Sequence, residues 1–95
     1  MPMYRKKPVV IEAIQWDGTE SCIQRIKAQF PAIETRAKSG HLKSDEVTHW
    51  RIATLEGSHI VSVGDYVIKG AAGEFYPCKD EIFRLTYEPA DDHAS

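Results

Sequence analysis

Metal and disulfide chemistry have little to work with in this chain. Cys22 and Cys78 are its two cysteines, enough for one bridge at most, and a single bridge is a poor sign of an oxidising compartment. The expectation is two reduced thiols that pack as small apolar side chains. No CxxC, HxxxH or equivalent pair occurs among Cys22, His41, His49, Cys78 and the other histidines, so no self-sufficient zinc site is expected. Long apolar runs are missing as well. Residues 9–14 form a short apolar stretch interrupted by Glu12, far below the roughly 20 residues that cross a bilayer and unlike the core of a signal peptide. A cytoplasmic protein with no membrane span is expected. Excess positive charge is also lacking: the net charge of −2 argues against non-specific nucleic-acid binding, which depends on many phosphate-neutralising cations.

What is present describes an ordinary small globular domain. Of the 95 residues, 42% are apolar and 27% charged, which suits one core but leaves no room for a deep, enclosed cavity beside it. Any site should therefore be shallow, or shared between subunits. Charge is uneven along the chain, with Arg5, Lys6 and Lys7 loading the start and Glu88, Asp91 and Asp92 the end. Residues 1–88 are expected to form one domain, and 89–95 a short acidic tail.

The most densely patterned stretch is 64–78. Gly64-Asp65 is a turn pair, 66–69 is a β-rich run, Gly70 and Gly73 permit positive φ, and 74–78 resumes an extended pattern, so a hairpin is expected. Upstream, residues 9–16 alternate with period two and are apolar on both faces, which suits an interior strand covered on each side by a helix or a second protomer. A helix over about 19–30 follows. Ser21 with Gln24 fits a capping box, Thr19 is the rival cap, and Cys22, Ile23, Ile26 and Phe30 share one face before Pro31 ends the run. A short strand is expected over 33–36, and a mobile loop or ragged hairpin over 38–48, where His41 and His49 read as solvated residues. Residues 50–55 and 58–63 suggest a second hairpin with Trp50 and Ile52 on one face. Residues 79–82 look like a helical turn, and strict alternation over 83–88 predicts a last strand with Phe83, Leu85 and Tyr87 towards the core. The sum is an α+β fold: a mainly antiparallel twisted sheet or half-barrel of about five to six strands, with one amphipathic helix packed on it.

Two blocks carry a resemblance. The first is Tyr4-Arg5-Lys6-Lys7-Pro8-Val9-Val10-Ile11-Glu12-Ala13 followed by Gln15-Trp16. The second runs from Thr54-Leu55-Glu56-Gly57 through Gly64-Asp65-Tyr66-Val67-Ile68-Lys69-Gly70 to Gly73-Glu74-Phe75-Tyr76-Pro77-Cys78-Lys79, and Thr86-Tyr87-Glu88 closes the pattern. These blocks resemble a widespread group of small, uncharacterised phage and prophage proteins. Such proteins usually continue with proline and aspartate where this chain has Asp80 and Glu81. The resemblance implies a phage origin, and it implies no reaction, cofactor or catalytic residue.

The candidate ligand-binding residues combine aromatic faces (Tyr4, Trp16, Tyr66, Tyr76), cations (Arg5, Lys6, Lys7, Lys69, Lys79) and acceptors (Gln15, Asp65, Glu74). Such a set can hold a nucleotide, with a base stacked on a ring, phosphates met by cations, and a carboxylate or amide reading base or ribose. The turn Gly70-Ala71-Ala72-Gly73 can add an anion-binding nest of backbone amides. The same residues are also what strands and tight hairpins use for structural reasons. Catalytic pairings, Cys78 with His59 or His49 and Asp65 with Glu74, have no spacing that brings them together. No enzyme and no cofactor are expected. The functional expectation is a phage-encoded binding protein that sequesters a nucleotide-derived host immune signal, with a pocket shared between protomers of a homo-oligomer. The alternative is an interaction module that docks on a host or virion protein.

Overall fold

The computed structural model describes residues 2–5, 8–39 and 47–90. They fold as an α+β protein in the order β1 (Glu12–Gln15), α1 (Glu20–Gln29), β2 (Thr35–Ser39), β3 (Val47–Thr54), β4 (Gly57–Ile60), β5 (Tyr66–Lys69), β6 (Phe75–Cys78) and α2 (Asp80–Thr86). The class and the strand number are those expected. The strands are divided, however, between two three-stranded antiparallel sheets, β1-β5-β6 and β2-β3-β4. Among the described residues no helix is long and apolar enough to cross a membrane.

Helix α1 starts at Thr19, whose extended backbone and side-chain oxygen identify it as the cap. Its Oγ1 accepts from the Cys22 amide at 3.1 Å and donates to Asp17 Oδ1 at 2.6 Å, so Asp17 holds the cap in place. Ser21 is thereby one position inside the helix, and Gln24 donates to Glu20 rather than reaching back to a cap. The apolar face is the expected one, with Cys22, Ile23, Ile26 and Phe30 all buried. It packs into one core with Trp16, Trp50, Ile52, Val61, Val67 and Phe75. Trp16 meets Trp50 edge-on at 5.0 Å between centroids, and Phe30 meets Phe75 at 5.5 Å, geometries that exploit the ring quadrupoles.

The first strand is shorter than the alternation of 9–16 implies, and it is not interior. Glu12 pairs with Lys69 and Gln15 with Tyr66, and beyond Lys69 the partner strand turns away at Gly70, so residues 8–11 have no strand beside them. β5 is central and β1 is an edge; Val10 is 80% exposed. β1 itself is exposed at Glu12 and Gln15 and only half-buried at Ala13 and Ile14, and what packs on the outer face of this sheet comes from the other end of the chain. Residues 80–86 form α2 where a strand was expected from residue 83 onwards. Asp80 and Glu81 occupy its first turn and Arg84 its last, as the helix dipole favours, and Arg84 Nε donates to Asp80 Oδ1 at 2.8 Å across one turn. The apolar residues then regroup with helical spacing: Phe83 stacks flat on Tyr66 (3.8 Å, 9°) and touches Tyr87, whereas Leu85 is 88% exposed instead of facing the core.

Register explains why α2 sits there. Gly70 N donates to Glu74 O at 2.7 Å, so Ile68 with Tyr76 and Tyr66 with Cys78 are the next hydrogen-bonded pairs of β5-β6. Pro77 falls opposite Val67, where the ladder asks no donor of it. Val67, Phe75 and Ile14 face the α1 core. Ile68, fully buried yet outside that core, lies on the opposite face with Tyr66 and Tyr76, under α2.

Among the described residues the second sheet is covered on one face. Trp50 and Ile52 of β3 are fully buried, as their spacing predicts, and Trp50 Nε1 donates to Thr35 Oγ1 on β2. The opposite face of this sheet carries Arg36 and Lys38 of β2 across from Arg51 and His49 of β3. The strands of the β3-β4 hairpin are joined by Leu55-Glu56, with Gly57 at φ 111° supplying the left-handed position the tight turn needs. Of the loop expected over 38–48, residues 38–39 and 47–48 belong to β2 and β3, and residues 40–46 lie outside the described residues, as do residues 91–95 of the acidic tail.

Candidate functional site

The ten sequence-derived site residues that the structure describes do not converge. At one end of β1-β5-β6, Gln15 Nε2 donates to Gly64 O at 3.0 Å, and Trp16 is a core residue whose Nε1 donates to Thr19 O. Asp65 is buried. Its Oδ2 accepts from Ser62 N at 2.9 Å and its Oδ1 lies 3.4 Å from Lys79 Nζ, so this acceptor fixes the 62–65 turn. Tyr66 has one ring face occupied by Phe83. At the far end, Lys69 and Glu74 flank the glycine turn, where Glu74 Oε1 accepts from Ala72 N at 3.0 Å and fills the space in which a side chain at Gly70 would have to sit. Tyr76 lies between the ends, with its hydroxyl 3.3 Å from that of Tyr87. Burial pushes the Tyr76 hydroxyl well above its ordinary pKa, and the Tyr87 contact adds to the effect. Tyr4 and Arg5 are exposed outside any helix or strand, and Lys6 and Lys7 lie outside the described residues.

A concave site forms elsewhere. The β3-β4 turn and strand β6, far apart in sequence, face one another across an open groove of about 380 Å³ lined by Thr54, Leu55, Glu56, His59, Glu74, Phe75, Tyr76 and Pro77. β6 is an edge strand, and its hydrogen-bonded pairs with β5 leave the Phe75 amide directed away from β5. The groove thus joins apolar walls (Leu55, Phe75, Pro77) to two carboxylates and an imidazole. His59 Nε2 stands 3.9 Å from Glu56 Oε1. Glu74 and Tyr76 belong to the sequence-derived set; the other lining residues do not. The turn at Glu56-Gly57 was readable from its composition, but the apposition of two hairpins was not.

Of the catalytic pairings considered from sequence, Asp65 and Glu74 stand at opposite ends of the β5-β6 hairpin. Burial, helped by the charge of Asp65, pushes the Cys78 thiol up, away from the reactive thiolate, and its sulfur contacts the Lys79 carbonyl. Asp65 and Glu74 each serve their own turn. Among the described residues no group of three His, Cys, Asp or Glu side chains is arranged to hold a metal ion. Compared with protein-family models, curated proteins and solved structures, the chain matches none.

Proposed function

We propose that this protein is a non-catalytic binding protein for a small nucleotide-like molecule, with the groove between the β3-β4 turn and β6 as its seat. The observation that carries this reading is the groove's make-up: about 380 Å³, at the lower end of the range for small-molecule sites, with apolar walls and a few polar groups to orient a ligand. Leu55, Phe75 and Pro77 offer surface to a base, while Glu56 and Glu74 accept from ribose hydroxyls or exocyclic amines. Phosphates would meet these carboxylates as like charges, so they project outward. Sequestration of a nucleotide-derived immune signal in the cytoplasm of a bacterial host is the role suggested by the resemblance to phage proteins. Self-association enters through the open side of the groove, which a second copy would close.

Native mass spectrometry and titration calorimetry with a nucleotide panel test this. One nucleotide should be retained, and Glu56→Gln should weaken it by roughly ten- to a hundredfold, the worth of a charge-assisted contact. One observation favours the protein-docking reading: Val10 and Leu85 are 80% and 88% exposed, near a depression between residues 9–11 and Phe83 and Tyr87. A panel in which no nucleotide is retained, beside capture of a defined host protein that Val10→Asp abolishes, would replace the first reading with the second.

A further inference from the structure

The two edges of the β1-β5-β6 sheet are not alike. Along β6 the outward positions are Phe75 and Pro77; Pro77 has no amide to offer, and the β3-β4 turn stands across the groove from this edge. Along β1, Trp16 N donates to Asp65 O at 3.0 Å, so Ile14 with Val67 and Glu12 with Lys69 are the next hydrogen-bonded pairs. Ala13, and Ile11 where the same alternation continues, therefore direct their amides away from β5, to a side where no described strand stands. Pro8 shares the phase of Glu12 in that alternation, so its missing amide does not blunt this side. Near Gln15 the edge is closed, because Cys22 Sγ donates to the Gln15 carbonyl at 3.5 Å. What stays open is residues 9–13, a run whose strand alternation outlasts β5 and leaves Val9 and Val10 47% and 80% exposed.

We propose that residues 9–13 pair antiparallel with the same residues of a second copy, about a two-fold axis through Ile11, and so join the two β1-β5-β6 sheets into one continuous sheet. An edge related to itself by a two-fold axis is complementary by symmetry, each outward amide meeting an outward carbonyl. The centre of the open run sets the register: Ile11 opposite Ile11, Val9 opposite Ala13 and Val10 opposite Glu12. An axis centred on Glu12 instead would set two carboxylates directly opposite one another, which destabilises a sheet. Ala13 lies on the face of Ile68 and lines, with Phe83 and Tyr87, a depression of about 220 Å³. Its small side chain leaves room there for the second copy's Val9, which stands opposite on the same face. None of residues 9–13 lines the groove described above, so this contact leaves the groove open and stands whether or not a nucleotide occupies it.

Sedimentation velocity of the intact protein across the micromolar range is the test, and a concentration-dependent dimer is expected. Val9→Pro removes an amide used twice about the axis and should weaken the dimer about tenfold or more, whereas Val10→Pro, whose amide lies in the opposite phase, should change it little. Val10→Lys sets an ammonium opposite each Glu12, whose carboxylate Gln29 holds at 2.9 Å, and should dimerise about tenfold more tightly than Val10→Glu. Leu55→Asp in the groove should leave the dimer intact. Melting temperatures taken at dilution, where the monomer prevails, should match the parent for the Val9 and Val10 variants, since both side chains are exposed outside any helix or strand. A strict monomer throughout the range, with or without a host protein captured through Val10, would overturn the proposal. So would equal losses with Val9→Pro and Val10→Pro, equal affinities for Val10→Lys and Val10→Glu, or a dimer broken by Leu55→Asp and not by Val9→Pro.

Discussion

The two sheets have the same number of strands and the same antiparallel pairing, but among the described residues one is covered twice and the other once. β1-β5-β6 lies between the α1 core and α2, so the two central residues of β5 are both withdrawn from solvent: Val67 into the main core, Ile68 under the second helix. β2-β3-β4 buries Trp50 and Ile52 on its inner face and leaves arginine, lysine, histidine, serine and Ile60 on its outer one. A strand that is apolar on both faces needs two covers, and a short chain can meet that need with its own last helix before any partner is invoked. The sheet buried on one face, by contrast, turns polar and charged side chains outward from the other.

The sharpest way to break this comparison is to remove the same atoms from each sheet. Ile68→Ala should cost about 2–5 kcal/mol, because the site is fully buried and a cavity is left beneath α2. Ile60→Ala, on the open face and 53% exposed, should cost about 0.5 kcal/mol or less. Urea denaturation of both variants decides it: equal losses would mean that the second sheet is also covered, or that α2 does not protect the first.

A smaller effect sharpens the same point from the helix side. Phe83→Ala should lower stability by about 1–3 kcal/mol through lost burial and the lost stack on Tyr66, while Leu85→Ala should be near neutral. In a strand these two residues would share a face and respond alike. A comparable loss at both positions would therefore restore the strand reading of residues 83–88.

That misreading shows what the sequence can and cannot disclose. Phe83, Leu85 and Tyr87 satisfy period two, but Phe83 and Tyr87 also satisfy a four-residue spacing, and over so few residues only the Asp80–Arg84 pair and the surface awaiting cover separate the two. The β5-β6 hairpin and α1 were legible because their signals are local: glycines at the turn, a cap, and an apolar face of ten helical residues. β1 was overread because its alternation continues past the point where β5 turns away, and a partner's length is not written in the strand itself. Of the described candidate site residues, Glu74 and Tyr76 reach the groove. Its remaining residues meet through the packing of one hairpin on another.

The smallest expected effect concerns the cap that anchors α1 beside both sheets. Hydrogen bonds from the Thr19 side chain and backbone, with help from Arg25, hold the Asp17 carboxyl below its ordinary value of 3.8. A pKa lowered by folding means that the ionised carboxylate is favoured in the folded state, so its contribution is present in full above the unfolded value and disappears as pH falls through and below it. Asp17→Asn should accordingly be slightly less stable than the parent at neutral pH, and the gap should close as the pH is taken below 3.8. Thr19→Ala, which removes the cap itself, should lose about 1 kcal/mol with little dependence on pH in that window. Thermal melts of the two variants across that range separate charge from shape: a gap for Asp17→Asn that stays constant to acid pH would show that its oxygen geometry, and not its charge, supports the cap.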